Sequence, residues 1–150
     1  MIDLQAQENA LLKAAAEAME REEYSCVMNG PEGMFASREK GVKPLMAWID
    51  EGRDFSGYAA ADQVVGKAAA LLYVKMGIGA LYARLLSEKA LGVLEENGIA
   101  FLAGEMVPYI INRRGDGMCP MEQSVLDTDN PAEAVVALKK RMAELAGGGK

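Results

Sequence analysis

Leu4, Leu11, Leu12, Ala15 and Met19 recur at helical spacing among Glu and Lys, with no Gly or Pro between them. This spacing predicts an amphipathic helix over residues 2–21. The period then changes. Apolar runs at 24–28 and 34–37 flank the breaker cluster Asn29-Gly-Pro-Glu-Gly33, the pattern of two strands joined in a hairpin. Lys43-Pro44 opens a short helix, because the missing N–H of a proline has no intrahelical partner in the first turn. Leu45, Met46, Trp48 and Ile49 supply its apolar face, and Gly52 stops it.

From residue 57 onward, strands and helices alternate. A buried strand is expected at 57–61, a helix at 66–76 ended by Gly77, and a strand at 80–86. Ser87 and Gly98 bracket the next helix as N-cap and stop, and a strand follows at 99–102. Strands linked by helices of this length form a parallel sheet covered on both faces. The expected class is α/β with a leading antiparallel hairpin. The last third is a polar turn-rich loop after residue 107, a helix starting at Cys119-Pro-Met-Glu122, and a final helix from Asn130-Pro-Ala-Glu133 to about residue 146. Residues 147–150 read as a flexible tail. Neither repeats nor a linker divide residues 1–150, which are expected to form one domain.

Composition narrows the chemistry. Of 150 residues, 51% are hydrophobic and 25% charged, enough for a real core, and 16 basic against 22 acidic residues give a net charge of -6. That balance argues against nucleic acid as a partner and favours a small molecule. There is no histidine, so a Ser-His-Asp triad, a Cys–His pair and an imidazole metal ligand are all excluded. Asp3 and Glu8 stand where a signal peptide would be basic, and no apolar run is long enough to span a membrane. With only Cys26 and Cys119, far apart in sequence, a reducing cytoplasmic location is expected, with neither a disulfide framework nor a thiolate metal site.

Candidate chemistry concentrates between residues 107 and 122. Asn112, Arg113, Arg114, Asp116, Cys119 and Glu122 fall within eleven residues, and the arginines beside Gly115 and Gly117 can hold a phosphate or carboxylate. Cys119 precedes Pro120 at an expected helix start, where the dipole and a neighbouring arginine would activate a thiol. Cys119-x-x-Glu122 equally has capping-box spacing, in which Glu122 satisfies a backbone N–H. A second candidate lies where a strand gives way to a helix, at Asp62 and Lys67, the usual place for ligands in α/β sheets. Gly66-Lys67 is no phosphate-binding P-loop, since Ala61 and Ala68 stand where Gly and Ser or Thr are required. Lys43 belongs to a similar junction that would face the same cleft. Cys26 reads as a small core residue.

Three segments carry a resemblance: Gly41-Val-Lys-Pro-Leu45, Asp62-x-x-Val-Gly-Lys-Ala-Ala-Ala-Leu-Leu72, and Val107-Pro-Tyr-Ile-Ile-Asn-Arg-Arg-Gly-Asp-Gly-Met-Cys-Pro-Met-Glu122. They resemble the domain-of-unknown-function 1893 family over roughly residues 22–127. That resemblance implies a cytidine-deaminase-like fold: a three-layer α/β/α sandwich with a mixed sheet of about five strands, to which residues 2–21 would add an extra helix. Zinc deaminases place a His/Cys-Ala-Glu motif and a Pro-Cys-x-x-Cys motif at two helix starts. Here those starts fall near 39–43 and 65–68, with no thiol or imidazole, so zinc-dependent deamination is not expected and no cofactor is assigned.

Two functions follow. In the first, Lys43, Lys67, Arg113 and Arg114 hold an anionic small molecule such as a nucleotide, oriented by Asp62, Asn112 and Asp116, with Glu122 at the same site. In the second, a zinc-independent enzyme uses Cys119 as nucleophile or redox thiol with Lys67 or Asp62 as acid or base. A third use of the chain is self-association through its amphipathic first helix, giving a homo-oligomer.

Overall fold

The structure, a computed structural model, describes residues 9–111, 115 and 117–148. It is an α/β sandwich built on one five-stranded sheet. Helix α1 (Ala10–Arg21) is capped by Asn9, whose side chain accepts a hydrogen bond from the Leu12 N–H at 3.0 Å. Strands β1 (Cys26–Gly30) and β2 (Gly33–Ser37) form the expected hairpin, with Gly33 at φ 117° where the turn needs a left-handed residue. Then come α2 (Lys43–Asp50), β3 (Ala59–Val65), α3 (Lys67–Met76), β4 (Ala80–Ser87), α4 (Glu88–Glu96) and β5 (Ala100–Val107). Two more helices, α5 (Pro120–Ser124) and α6 (Pro131–Gly148), close the chain.

The strand order is β2-β1-β3-β4-β5. β1 runs antiparallel to both neighbours, and β3, β4 and β5 are parallel. On one face lies α1 alone among the described residues. Leu12 packs with Ala59, Ala80 and Ala100, and Ala15 and Met19 pack with Val27 and Ala61. The alanines on that face let the helix approach the sheet closely. On the other face α2, α3 and α4 share the main core with β1, β3, β4 and β5, and α6 packs across α3 from outside. Covered on both sides, α3 is buried from Lys67 through Tyr73, which explains why its sequence carries almost no polar face. Each fully buried leucine of this layer, such as Leu71 or Leu72, contributes about 1.5–3 kcal/mol.

The structure departs from the sequence expectation at four places. The first helix is no appendage to a 22–127 core, since α1 forms the layer on its side of the sheet. Its described apolar residues Leu12, Ala15 and Met19 pack on the sheet, and the part of the expected helix at residues 2–8 lies outside the described residues. β3 is displaced toward the C-terminus and reaches Val65, because the polar pair Asp62-Gln63 lies inside the ladder, with Asp62 between Cys26 and Ala83. β5 extends to Val107 as an edge strand, and Gly104 is where the Arg84 carbonyl leaves no room for a Cβ. Finally, α6 continues to Gly148, into the segment read as a tail. None of the helices among the described residues is long and apolar enough to cross a membrane.

Candidate functional site

β1 and β3 are antiparallel neighbours, whereas β3 and β4 are parallel, so the sheet changes direction at β3. Beside that change, at the C-terminal end of β3, lies a cavity of about 1190 Å³, a place and size typical of small-molecule sites. Gly41, Val42 and Lys43 reach it from the start of α2, and Gly66, Ala68 and Ala69 from the start of α3. Cys119 and Met121 border it from α5, and Met142 and Leu145 from α6. The two strand-to-helix junctions and the α5 region singled out in the sequence therefore share one cavity.

Asp62 and Glu122 are the buried carboxylates of its wall, 8% and 7% exposed. Alternation along β3 puts Asp62 on the same face as Ala60, toward α3. The Tyr73 hydroxyl donates to its Oδ2 at 2.7 Å and the Val64 N–H to its Oδ1 at 3.2 Å. Burial pushes the Asp62 carboxyl up to about 7, against the opposing pull of hydrogen bonds from Tyr73 and from the backbone of Val64 and Gln63. Burial and the adjacent Asp62 in turn raise both the Cys26 thiol and the Tyr73 phenol. Cys26, expected as a core residue, is indeed buried but also borders the cavity. Tyr73 was not apparent from sequence as a partner of Asp62. The available signal was the parity of β3, since an Asp in step with Ala60 faces inward.

Glu122 corrects the capping-box expectation. The Cys119 side chain makes no capping bond to α5, and Glu122 does not serve its own helix. Its Oε1 and Oε2 accept hydrogen bonds from the backbone N–H groups of Lys67 and Ala68, at 2.7 and 2.8 Å, so it caps α3 from more than fifty residues away. Gly66, the N-cap of α3, makes room for it, because a Cβ there would overlap the carboxylate. Burial raises the Glu122 carboxyl, while the two N–H donors and Lys67 and Lys89 oppose the rise.

Lys67 is turned away from the cavity. Its ammonium, 6% exposed as a residue, donates to the Leu126 carbonyl at 3.2 Å and pairs with Asp129 at 3.0 Å, tying the segment after α5 to α3. Its expected role as anion ligand or base is thus taken over by a structural contact. Lys43 does border the cavity, with its ammonium 3.3 Å from Glu39 at an exposed position. Arg38, another lining residue, stacks its guanidinium 4.6 Å from the Tyr24 ring centre and donates to the Glu22 carbonyl. Asn112, Arg113, Arg114 and Asp116 lie outside the described residues.

A deaminase zinc would need ligands at the starts of α2 and α3. Those segments, Gly41-Val-Lys43 and Gly66-Lys-Ala-Ala69, hold neither thiol nor imidazole, and the Glu122 carboxylate fills the N-terminus of α3. Among the described residues no three acidic, thiol or imidazole groups cluster to hold a metal. The residues present do not fit that metal.

The profile of a family described as a domain of unknown function (DUF1893) matches residues 14–142. A crystal structure of a DUF1893 family protein (TM1506) from Thermotoga maritima is similar, with a TM-score of 0.81 and 31% identity, covering 89% of this chain and 91% of that one. None of the curated proteins matches the chain.

Proposed function

The chain belongs to the DUF1893 family, and from that premise we propose that it binds an anionic small molecule of the nucleotide class in the cavity beside β3. The reading rests on one observation: a cavity of about 1190 Å³ whose apolar lining is interrupted by Asp62 and Glu122 in the wall, by Glu20 and Glu23, and by Arg38, Lys40 and Lys43. Such a surface suits a ligand with a flat, weakly polar body and a charged end. Lys43 and Lys40 take the anion as point charges, and Arg38 holds Tyr24 in place as part of the wall. Asn112, Arg113, Arg114 and Asp116, which follow the lining residue Ile111 in sequence, complete the proposed contacts to the anion. We read the fold, with its sheet order β2-β1-β3-β4-β5, as deaminase-like with the cleft retained and the zinc chemistry lost. Both cysteines are free thiols, in keeping with the cytoplasmic location we propose.

The test is calorimetric titration with nucleoside monophosphates, with inorganic phosphate as a comparison. Wild type is expected to bind at least one nucleotide more tightly than phosphate. Val64→Trp, which places an indole in the cavity from an exposed strand position 39% accessible, is expected to abolish binding. Lys43→Ala should weaken it about tenfold, the effect of losing roughly 1.4 kcal/mol from a charged contact. Unaltered affinity in Val64→Trp would put the ligand elsewhere.

A second reading has its own observation, that Cys119 and Asp62 border the same cavity and Asp62 titrates near neutrality. In it, Asp62 takes the Cys119 thiol proton as the sulfur bonds to an electrophilic carbon of the ligand, and returns that proton to the group displaced from the carbon. Cys119→Ser decides between the two. A binder keeps its nucleotide affinity, whereas a thiol enzyme loses turnover by orders of magnitude while still folding.

A further inference from the structure

Asp62 presents an electrostatic problem that the protein does not solve internally. Its carboxyl is buried against β1, β4 and α3, and the groups that meet it there are Cys26, Ala83 and Tyr73, none of them cationic. No described Lys or Arg pairs with it or hydrogen bonds to it. Its hydrogen bonds come from neutral donors, the Tyr73 phenol and backbone N–H groups. An ionised carboxylate in that position is costly without a counter-charge, and burial accordingly holds its proton to higher pH than in water. Yet the residue forms part of a cavity wall with an open side.

We propose that Asp62 is the recognition point for a cationic or N–H-rich group of the ligand, an amine, an amidinium or the amidine-like edge of an aminated ring. The inference rests on the binding reading above and extends it. The anionic end of the ligand would face Lys40 and Lys43, and its N–H donors would face Asp62, so that the ligand brings the counter-charge the fold omits. Tyr73 is a positioning residue: its hydroxyl engages Oδ2 from the α3 side while the Val64 N–H engages Oδ1, and the ligand would use the second lone pair that each oxygen keeps. An apolar body between the two ends would lie along Val42, Val64, Ala69 and Met121.

Benzamidine serves as the probe, because it stays cationic throughout the range in which Asp62 titrates. A cation prefers the ionised carboxylate, so affinity is expected to rise about tenfold per pH unit from about pH 5 and to level off above about pH 7. Glu20, Glu23, Glu39, Glu122, Arg38, Lys40, Lys43 and Cys119 also stand at or near the cavity, so the slope must be assigned by substitution. Asp62→Asn, which keeps the shape and the Tyr73 contact, should lose both the binding and the slope. Tyr73→Phe removes a bond that favours the ionised form, so the levelling point should move to higher pH, a displacement that mere loss of packing does not produce.

A flat pH profile, or benzamidine binding retained in Asp62→Asn, overturns the assignment. AMP bound by wild type with no benzamidine binding at any pH overturns it too, while sparing the cavity reading. If neither probe binds and Val64→Trp changes nothing, both readings fail together.

Discussion

Glu122→Ala is expected to lower the unfolding free energy by about 3 kcal/mol, from a removal that leaves two donors at the start of a buried helix without an acceptor. For a domain of this size that is a fall in Tm of about 6–12 °C. The mechanism is specific, and a partner variant checks it. Gly66→Ala introduces no backbone strain, because Gly66 has φ -99° and ψ -173°, which any residue adopts. Its Cβ nevertheless overlaps the Glu122 carboxylate and must displace it from the same two N–H groups. Gly66→Ala is therefore expected to be destabilising alone, but to cost little in a chain that already carries Glu122→Ala. Denaturant unfolding of the two single variants and the double variant measures that coupling. Additive losses would mean that the Glu122 contact is not what Gly66 protects.

The second large effect is a dependence of stability on pH that runs opposite to ordinary acid denaturation. Asp62 rises from 3.8 in the free side chain to about 7 in the fold. Between about pH 4 and pH 7 the folded protein thus holds a proton that the unfolded chain has released. Unfolding free energy from this group is greatest below pH 4, declines as pH rises, and is flat above about pH 7, a span of roughly 4 kcal/mol. Glu122, also raised by burial, contributes in the same direction.

Asp62→Asn isolates the share of Asp62. The amide imitates the protonated acid, with its oxygen accepting from Val64 and its NH₂ donating to a rotated Tyr73 hydroxyl. The variant should match wild type at about pH 4 and exceed its stability at about pH 8, measured by urea unfolding at each pH. Equal stability at both ends would show that Asp62 is solvated or compensated in the folded protein. The group expected to reward a ligand's positive charge is thus the one that weakens the empty protein at neutral pH, a common exchange of stability for a functional group.

Much of this was legible along the chain. Period-two and period-3.6 patterns, Pro44 in the first turn of α2, Ser87 as N-cap and Gly77 as left-handed C-cap are local matters, and the structure bears them out. The Ser87 hydroxyl accepts from the Ala90 N–H at 3.1 Å, as its position before an apolar run implied. The hairpin and the parallel strands follow from the same local rules, so the α/β class and the number of strands were within reach of sequence alone.

What the chain could not disclose are partnerships between residues remote in sequence. Cys119-x-x-Glu122 has the spacing of a local cap, but backbone N–H groups of α3 are the better acceptor-seeking neighbours once α5 lies over Gly66. Lys67 reads as a cleft lysine, until packing of α5 and α6 over α3 brings the Leu126 carbonyl and Asp129 to its ammonium. Asp62 ends a run of alanines, and only the pairing of β1 and β4 on either side buries it beneath Tyr73. Local propensity acts through neighbours three or four positions away, whereas burial and charge pairing are set by whatever the fold brings near. The sequence by itself therefore determined the elements and their order, and tertiary packing decided which charged groups became structural and which were left bordering the cavity.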